Sequence, residues 1–444
     1  MQQVRRWKPW QAFAGILIVL ASVLLPTSAG TDRLAASPSH PPRYAPGIIL
    51  AQPKSTQNSA RIATIAGATS VSPLGHLGVQ ELHVPPGQEQ ATIQRLQQSG
   101  SVNFAELDYY STAAFVPNDP LYPNQWALPK IDAPTAWQTT FGSPSVTVAV
   151  IDTGFDFNHP DRPVNLVAGP TFVSAPMPTC PPEGQNGPQD DQGHGTHVTG
   201  IIAAHTNNAL GVAGIAPNVT ILVIKAGDCT GSFLDSDIAT AIQYAADHGA
   251  RVIDMSFGGT GDSQTMDLAI QYAWSKGVVL VAAAGNDGMN EAFFPADYQH
   301  VIAVSATDPT DGLATFSNYG PSITVAAPGV NIVSLMSSTN VFGCSEYCTL
   351  SGTSMAAPFV SGVAGLLLSV KPSLTNTQVV DAIEQGAIPL GSGCPNPFFG
   401  YGRVDAARSL QSIADPTLTS SAAPYAYRFY FPLVAVAPCA PPTY

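Results

Sequence analysis

The sequence predicts an α/β fold: a mostly parallel central sheet covered by helices, preceded by a small α+β unit of ferredoxin-like order. Three observations carry this reading. Between Pro117 and Ala414, runs of continuous apolar residues alternate with helical patterns, as strands buried on both faces require. Between Arg43 and Tyr110, shorter strand and helix patterns alternate in the manner of a split βαβ unit. The 444 residues are 45% hydrophobic and only 11% charged, which supplies a sizeable core and argues against disorder.

At the N-terminus, Arg5, Arg6 and Lys8 precede an apolar run from Ala12 to Leu25, followed by "PTSAG". This is the order of a secretory signal, with cleavage expected near Ala29; the run is short for a membrane span. Residues 30–45 read as a Ser/Pro/Ala linker. In the small unit, "GIIL", "VQELHV" and "VNFAELDYY" read as strands, and "NSARIATIAG" and "QEQATIQRLQQSG" as helices. "STAAFVPNDP" reads as an exposed joint.

Beyond it, "VTVAVID", "TILVIK", "RVIDMS" and "VVLVAAAGN" read as strands, and "HVTGIIAAH", "DIATAIQYAADHG" and "DLAIQYAWSKG" as helices. Right-handed crossovers then build a parallel sheet, and ligands bind beyond its carboxyl ends. Asp152, Ser256 and Asn286 fall at or just past such ends. From Asp415 the chain is rich in Pro, Ala and Tyr, as an edge strand, a docking tail or a surface-retention segment would be. The expected domains are therefore 1–29 (signal), 30–115, 116–414 and 415–444.

The formal net charge is −13, and no basic cluster follows the first ten residues. Nucleic acid is therefore not an expected partner, and no second segment is apolar enough for a stable span. A secreted monomer is expected. The chain has six cysteines, and an even count in an exported chain favours disulfides. Six allow fifteen pairings; Cys180–Cys229 and a short Cys344–Cys348 loop are the expected ones.

Four motifs carry chemistry. Asp152 ends a strand in "VIDTGFDFNHPD", and a buried carboxyl there needs partners. His194 opens a helix in "GHGTHVTG"; with His197 its spacing is not that of a zinc motif. Asn286 follows a strand in "AAAGN", where a turn residue is the plain alternative. Ser354 stands in "SGTSMAAP" before a long apolar helix, where a helix cap is the plain alternative. Together they supply what a serine nucleophile needs: a base, a carboxylate to orient it, and an amide donor for the oxyanion. Pro358 has no N–H, so the Ser354 carbonyl loses its helix partner and the first turn should be irregular. Met355 beside Ser354 is a thioether open to oxidation.

"AVIDTG", "GHGTHVTG", "MSFGG", "AAAGN" and "SGTSMAAP", in the order Asp, His, Asn, Ser, make the chain resemble the subtilisin-like serine proteases over roughly Pro117 to Ala414. "VPNDPLYPNQWALPKIDAPTAW" is similar to the mature start of the thermitase-like subgroup. The resemblance implies a subtilisin-like three-layer domain. Asp152 would orient, His194 would be the base and Ser354 the nucleophile, while Asn286 and the Ser354 N–H would bind the oxyanion; His197 would not be catalytic. Thr230–Gly231 and Ser256-Phe257-Gly258 would pair with a peptide substrate as an added strand. Ala283, Ala284 and Gly285 would line a roomy P1 pocket without acidic residues, implying broad cleavage after apolar or aromatic residues.

The resemblance also implies one tight calcium ion. Its ligands would be Asp119, Asp161 and Asn208, with carbonyls of His205, Leu210 and Val212, a donor set that suits calcium. A second calcium loop before the catalytic His is doubtful, because only Asp190 and Asp191 remain acidic there and Cys180 would instead fasten the loop. Residues 43–115 resemble the family's inhibitory propeptide, removed by self-cleavage near Ala114–Val116. The alternative is a catalytically silent peptide-binding protein of the same fold. An acid-active relative that uses Glu in place of His is disfavoured by His194 and Asn286.

Overall fold

The computed structural model describes residues 44–54, 59–110, 115–180 and 187–414. The expected signal segment and the C-terminal tail lie outside the described residues. These fall into two compact units, one on either side of 111–114.

The first unit runs β1 (Tyr44–Pro53), α1 (Ser59–Ala66), β2 (Ser70–Pro73), β3 (Gln80–His83), α2 (Glu89–Gln98) and β4 (Val102–Tyr109). Its antiparallel sheet has the order β2-β3-β1-β4, which is the ferredoxin-like arrangement. Ile49, Ile62, Leu82 and Leu96 are fully buried between sheet and helices. The sequence reading did not contain β2. "SVSP" is an edge strand with no buried residue, so it lacks the apolar alternation that marks a strand.

The second unit opens with a 3-10 turn (Tyr122–Asn124) and the short helices α3 (Ala127–Lys130) and α4 (Ala133–Trp137). It continues through β5 (Thr147–Asp152), β6 (Asn165–Thr171), α5 (His194–Ala203), β7 (Thr220–Lys225), α6 (Asp235–Asp247), β8 (Ala250–Met255), α7 (Gln264–Ser275), β9 (Val279–Ala283), β10 (Val301–Thr307) and β11 (Ile323–Pro328). A hairpin, β12 (Ile332–Leu335) and β13 (Tyr347–Leu350), leads into α8 (Thr353–Val370), α9 (Asn376–Gly386) and α10 (Ala406–Ala414). The seven-stranded sheet has the order β11-β10-β9-β8-β5-β7-β6, and every pairing in it is parallel.

The continuous apolar character of β5 has a direct cause. Val148 and Val150 face one core, with α5 and α8, while Ala149 and Ile151 face the other, with α6 and α7. Each side chain of a two-sided strand is buried, so alternation disappears. Helix α8 is the most apolar of the long helices. Among the described residues it alone is long and apolar enough to cross a membrane, and it is 83% buried inside the protein. The strand order reverses around β5: successive strands lie on one side through β6 and β7 and on the other from β8 onward. The crevice beyond the carboxyl ends at such a reversal is where α/β sheets hold their ligands.

Candidate active site

Asp152 is the last residue of β5 and is fully buried. His194 is the first residue of α5. Asp190 positions that helix start. Its Oδ1 accepts hydrogen bonds from the N–H groups of Gln192 and Gly193 and from Thr153 Oγ1, and its Oδ2 accepts from Thr196 N and Oγ1. One carboxylate thus satisfies free N–H groups of a helix N-terminus and ties them to the residue that follows Asp152. Gly193 makes the turn at φ 109°, and a Cβ there would stand 2.6 Å from Met336 Sδ. Only glycine fits both demands.

The result is a short contact between the two side chains. His194 Nδ1 lies 2.8 Å from Asp152 Oδ1 and 3.0 Å from Oδ2. With Nδ1 donating, Nε2 is the basic nitrogen of the neutral ring. Burial opposes the imidazolium, but the Asp152 charge and hydrogen bond outweigh it, and the His194 pKa stands above its ordinary value. His197, by contrast, is fully buried with Nε2 3.1 Å from the Cys348 carbonyl. Burial holds its pKa down at about 3, so it stays neutral.

Ser354 is the second residue of α8 and is partly exposed. The first turn closes by a bond from Met355 N to the Gly352 carbonyl, and Pro358 lies inside a helix that continues to Val370. Thr353, fully buried, links this turn to the end of β9. Asn286 Oδ1 accepts from Thr353 N at 2.8 Å and from Thr353 Oγ1 at 3.0 Å, while Thr353 Oγ1 accepts from Gly285 N at 3.1 Å. A backbone N–H can only donate, so the amide oxygen of Asn286 is the atom that faces Thr353. The Nδ2 group remains as a donor beside the start of α8. A hydroxyl, an imidazole backed by a carboxylate, and an amide donor at a helix N-terminus together suit nucleophilic acyl transfer.

The two segments expected to bind substrate are each held by contacts of their own. Thr230 is held by Asp228, whose Oδ1 accepts from Thr230 N and Oγ1, and Gly231 has φ 79°. The Cys180–Cys229 disulfide fastens this segment to the loop after β6. Beyond β8, Ser256 donates to Asp254, and Phe257 stacks on Phe233 at 4.4 Å. Ala283 and Ala284 are almost fully buried. Gly258 and Gly285 both abut the ring of Phe293. The sequence reading missed Phe293, Thr353 and the helix-capping part of Asp190. "AFFPAD" offers only an aromatic pair in a loop, and Thr353 reads as an ordinary helix start.

The expected calcium ligands also converge. Asp119 and Asp161 are buried, and neither has a cationic partner among the described residues. Asp119 accepts from the N–H groups of Asn207 and Asn208, and Asp161 from Asn208 Nδ2 and Val212 N. Burial, and the charge of Asp119, push the Asp161 carboxyl up to about 7. Asn207, Ala209 and Gly211 all have positive φ, so the loop that carries the His205, Leu210 and Val212 carbonyls is held in a strained form. Among the described residues no group of three or more His, Cys, Asp or Glu gathers, so a cation here would rest on two carboxylates and neutral oxygens. Asp190 is consumed by its five donors, and Asp191 pairs with buried Lys225 at 2.7 Å. Both disulfides expected from the sequence, Cys180–Cys229 and Cys344–Cys348, are formed. Cys439 lies outside the described residues.

The profile described as the subtilase family matches residues 143–402. This chain is a subtilase. It is 41% identical over 367 residues to a thermophilic serine proteinase of Bacillus sp. strain AK1, covering 82% of this chain and 86% of that one. It is 43% identical over 299 residues to thermitase of Thermoactinomyces vulgaris, covering 67% of this chain and all of thermitase. Among solved structures, a protease of Pseudoalteromonas arctica matches with a TM-score of 0.61 and 35% identity, over 67% of this subtilase and 99% of that chain. The thermitase-like subgroup fits, and the subtilase is a serine endopeptidase.

Proposed function

We propose that this subtilase is a secreted, self-processed endopeptidase in which Ser354 is the nucleophile, His194 the base and Asp152 the group that orients it. The observation that carries this is the Asp152–His194 contact at 2.8 Å, made from the two strand and helix ends nearest the crevice. In the reaction, Ser354 Oγ forms a bond to the peptide carbonyl carbon as its proton passes to His194 Nε2. The same proton then goes to the departing amine, and water repeats the sequence to free the acid. Asn286 Nδ2 and the Ser354 N–H donate to the oxyanion. The N-terminal dipole of α8 adds to that stabilisation.

Thr230–Gly231 and Ser256-Phe257-Gly258 would hold the substrate backbone, and Ala283-Ala284-Gly285 the side chain on the attacked carbonyl. No acidic side chain stands among them, which favours apolar over basic P1 residues. Residues 30–115 would be the propeptide, inhibitor and folding assistant; its ferredoxin-like unit has a core of its own. The residues near Asp119 fit a calcium ion: two buried carboxylates without a cation, with carbonyls in one loop. Asp119, Asp161, Asn208 and the carbonyls of His205, Leu210 and Val212 would hold it. Calcium would supply cross-linking of the residue 118–120 segment to that loop, without a part in the chemistry.

Reaction with a fluorophosphonate probe tests the reading. Labelling of the wild-type chain and none of Ser354→Ala is expected. A folded wild-type enzyme that neither labels nor cleaves peptides would instead make this a peptide-binding subtilase fold.

A further inference from the structure

The β12–β13 hairpin supplies no group to the chemistry proposed above, yet it braces the segment that carries His194. Ser337 Oγ donates to the Asp190 carbonyl at 3.0 Å, and Val341 N donates to the Gln192 carbonyl at 3.0 Å. A Cβ built on Gly193 would lie 2.7 Å from Asn340 Cβ. Further along α5, Ser334 Oγ donates to the His197 carbonyl at 2.7 Å, and His197 Nε2 lies against the Cys348 carbonyl. The hairpin therefore touches the chain on both sides of His194.

The same hairpin is seated on the loop expected to hold calcium. A Cβ on Gly211 would overlap Cε1, Cζ and Oη of Tyr347. The ring thus lies directly against backbone between Leu210 and Val212, whose carbonyls are expected ligands, and only glycine leaves it room. The Tyr347 hydroxyl hydrogen-bonds to Asp161, a third member of that set. Buried His159 adds to the contact. Its Nδ1 accepts from Asp161 N at 3.1 Å, which leaves Nε2–H to donate to the Glu346 carbonyl at 2.8 Å. Its ring meets that of Tyr347 edge-on at 5.5 Å. Tyr347 also stands between the two cysteines of the Cys344–Cys348 disulfide. Cys344 in turn exchanges hydrogen bonds of 3.0 and 3.3 Å with the side chain of Asn340, the residue that abuts Gly193.

We propose that Tyr347 is a positioning residue that closes the calcium site from the hairpin side, and that the disulfide-closed hairpin transmits calcium occupancy to the segment holding His194. The inference rests on the proposed calcium site and on the proposed role of His194. A cation that fixes Asp161 and the Leu210 and Val212 carbonyls fixes the Tyr347 side chain seated among them. Tyr347 then fixes the cross-linked turn that lies against Gln192 and Gly193. Without the cation, the Asp119 and Asp161 carboxylates repel each other and the seat loosens. A base displaced by about 1 Å costs a reaction about 10²-fold in rate, whereas the proposed substrate walls belong to other loops. Calcium should therefore act on kcat more than on KM.

Calcium is titrated calorimetrically into EDTA-treated Ser354→Ala protein, with and without Tyr347→Phe, which keeps the ring and removes the hydroxyl. The Phe variant should bind at least about 10-fold more weakly, since a hydrogen bond to a charged group is lost. In the active chain, initial rates are taken with and without calcium, below the melting temperature of the calcium-free Ser354→Ala protein. Wild-type kcat should fall at least about 10-fold without calcium, with KM little changed, and added calcium should restore it. Tyr347→Phe should need about 10-fold more calcium for the same restoration. Cys344→Ser with Cys348→Ser should still bind calcium, but its kcat should no longer rise with it. A Ser354→Ala protein that takes up no calcium removes the site and the proposal with it. Calcium affinity unchanged by Tyr347→Phe, with melting lowered equally in both conditions, would make Tyr347 merely structural. Calcium-dependent kcat that persists in the cysteine variant overturns the transmission. A wild-type chain that binds calcium but cleaves nothing at any calcium level refutes the His194 reading, and the transmission with it.

Discussion

Asp254 on β8 and Ser361 on α8 share a 2.6 Å hydrogen bond in the fully buried interior. Ser256, just past the carboxyl end of β8, donates to the other oxygen of the same carboxyl at 2.7 Å. Ser361 lies seven residues after Ser354, two helical turns down the same face. One acid therefore joins the proposed substrate wall to the helix of the proposed nucleophile.

The acid is expensive in stability when charged. Burial pushes the Asp254 carboxyl up to about 7, with Asp152 adding to the rise, against about 3.9 in an unfolded chain. The native state then holds a proton that the unfolded state has lost. Any stability from this group is complete below the unfolded value and is lost as pH rises through 7. Asp254→Asn, made in Ser354→Ala to prevent autolysis, should be more stable than its parent at pH 8.5 by on the order of a few kcal/mol, and so melt at a higher temperature. At pH 4 the two should converge. Melting curves at both pH values check this; a lower melting temperature for the Asn variant at pH 8.5 would refute it.

The acid limb of the activity profile should lie above the ordinary histidine value. The folded His194 pKa is raised, and only the neutral ring can accept the Ser354 proton. Activity should be lost as pH falls through that raised value. Asp152→Asn removes the charge that raises it and should lower kcat by about 10⁴. A profile of kcat/KM from pH 5 to 10 gives the limb directly, and a rate maximum near pH 4 would contradict the assignment.

Thr353 should act on kcat through Asn286. Asn286→Ala is expected to cost about 10²–10³ in kcat. Thr353→Val removes the hydroxyl that bridges Asn286 and Gly285 while keeping the N–H bond, so a smaller loss is expected, with KM little changed. Losses that add fully in the double variant would show that the two residues act independently.

Removing calcium should lower the melting temperature of the Ser354→Ala protein, and Asp161→Asn should abolish the difference between EDTA-treated and calcium-loaded samples. Calorimetric titration of calcium into the treated protein supplies a readout independent of activity. No heat and no shift in melting would remove the site.

Much of this was legible in the sequence because its signals were local. Continuous apolar strands such as "TILVIK" and the four motifs survive without knowledge of neighbours. The edge strand β2 and the Gly- and Pro-containing β6 were not legible, because their residues are set by pairing more than by burial. Phe293 was hidden for a different reason. Its meaning comes from two glycines 35 and 8 positions away in the chain, at Gly258 and Gly285, and only folding brings the three together. Asp254 carries no signal of its own within the apolar run of β8, since its cost depends on the helix laid over it.

Helix α8 carries the proposed nucleophile at one end and is buried along nearly its whole length among β5, β8, β9, β10 and β11. Amides in such a segment exchange only when the whole domain opens. Ser354 is thus mounted on a helix buried in the core of its unit, while the proposed substrate-binding walls belong to loops. Heat should blunt substrate binding before it disturbs the hydroxyl. Loss of the reactive serine should coincide with global unfolding, so that its half-life reports the unfolding rate of the entire domain.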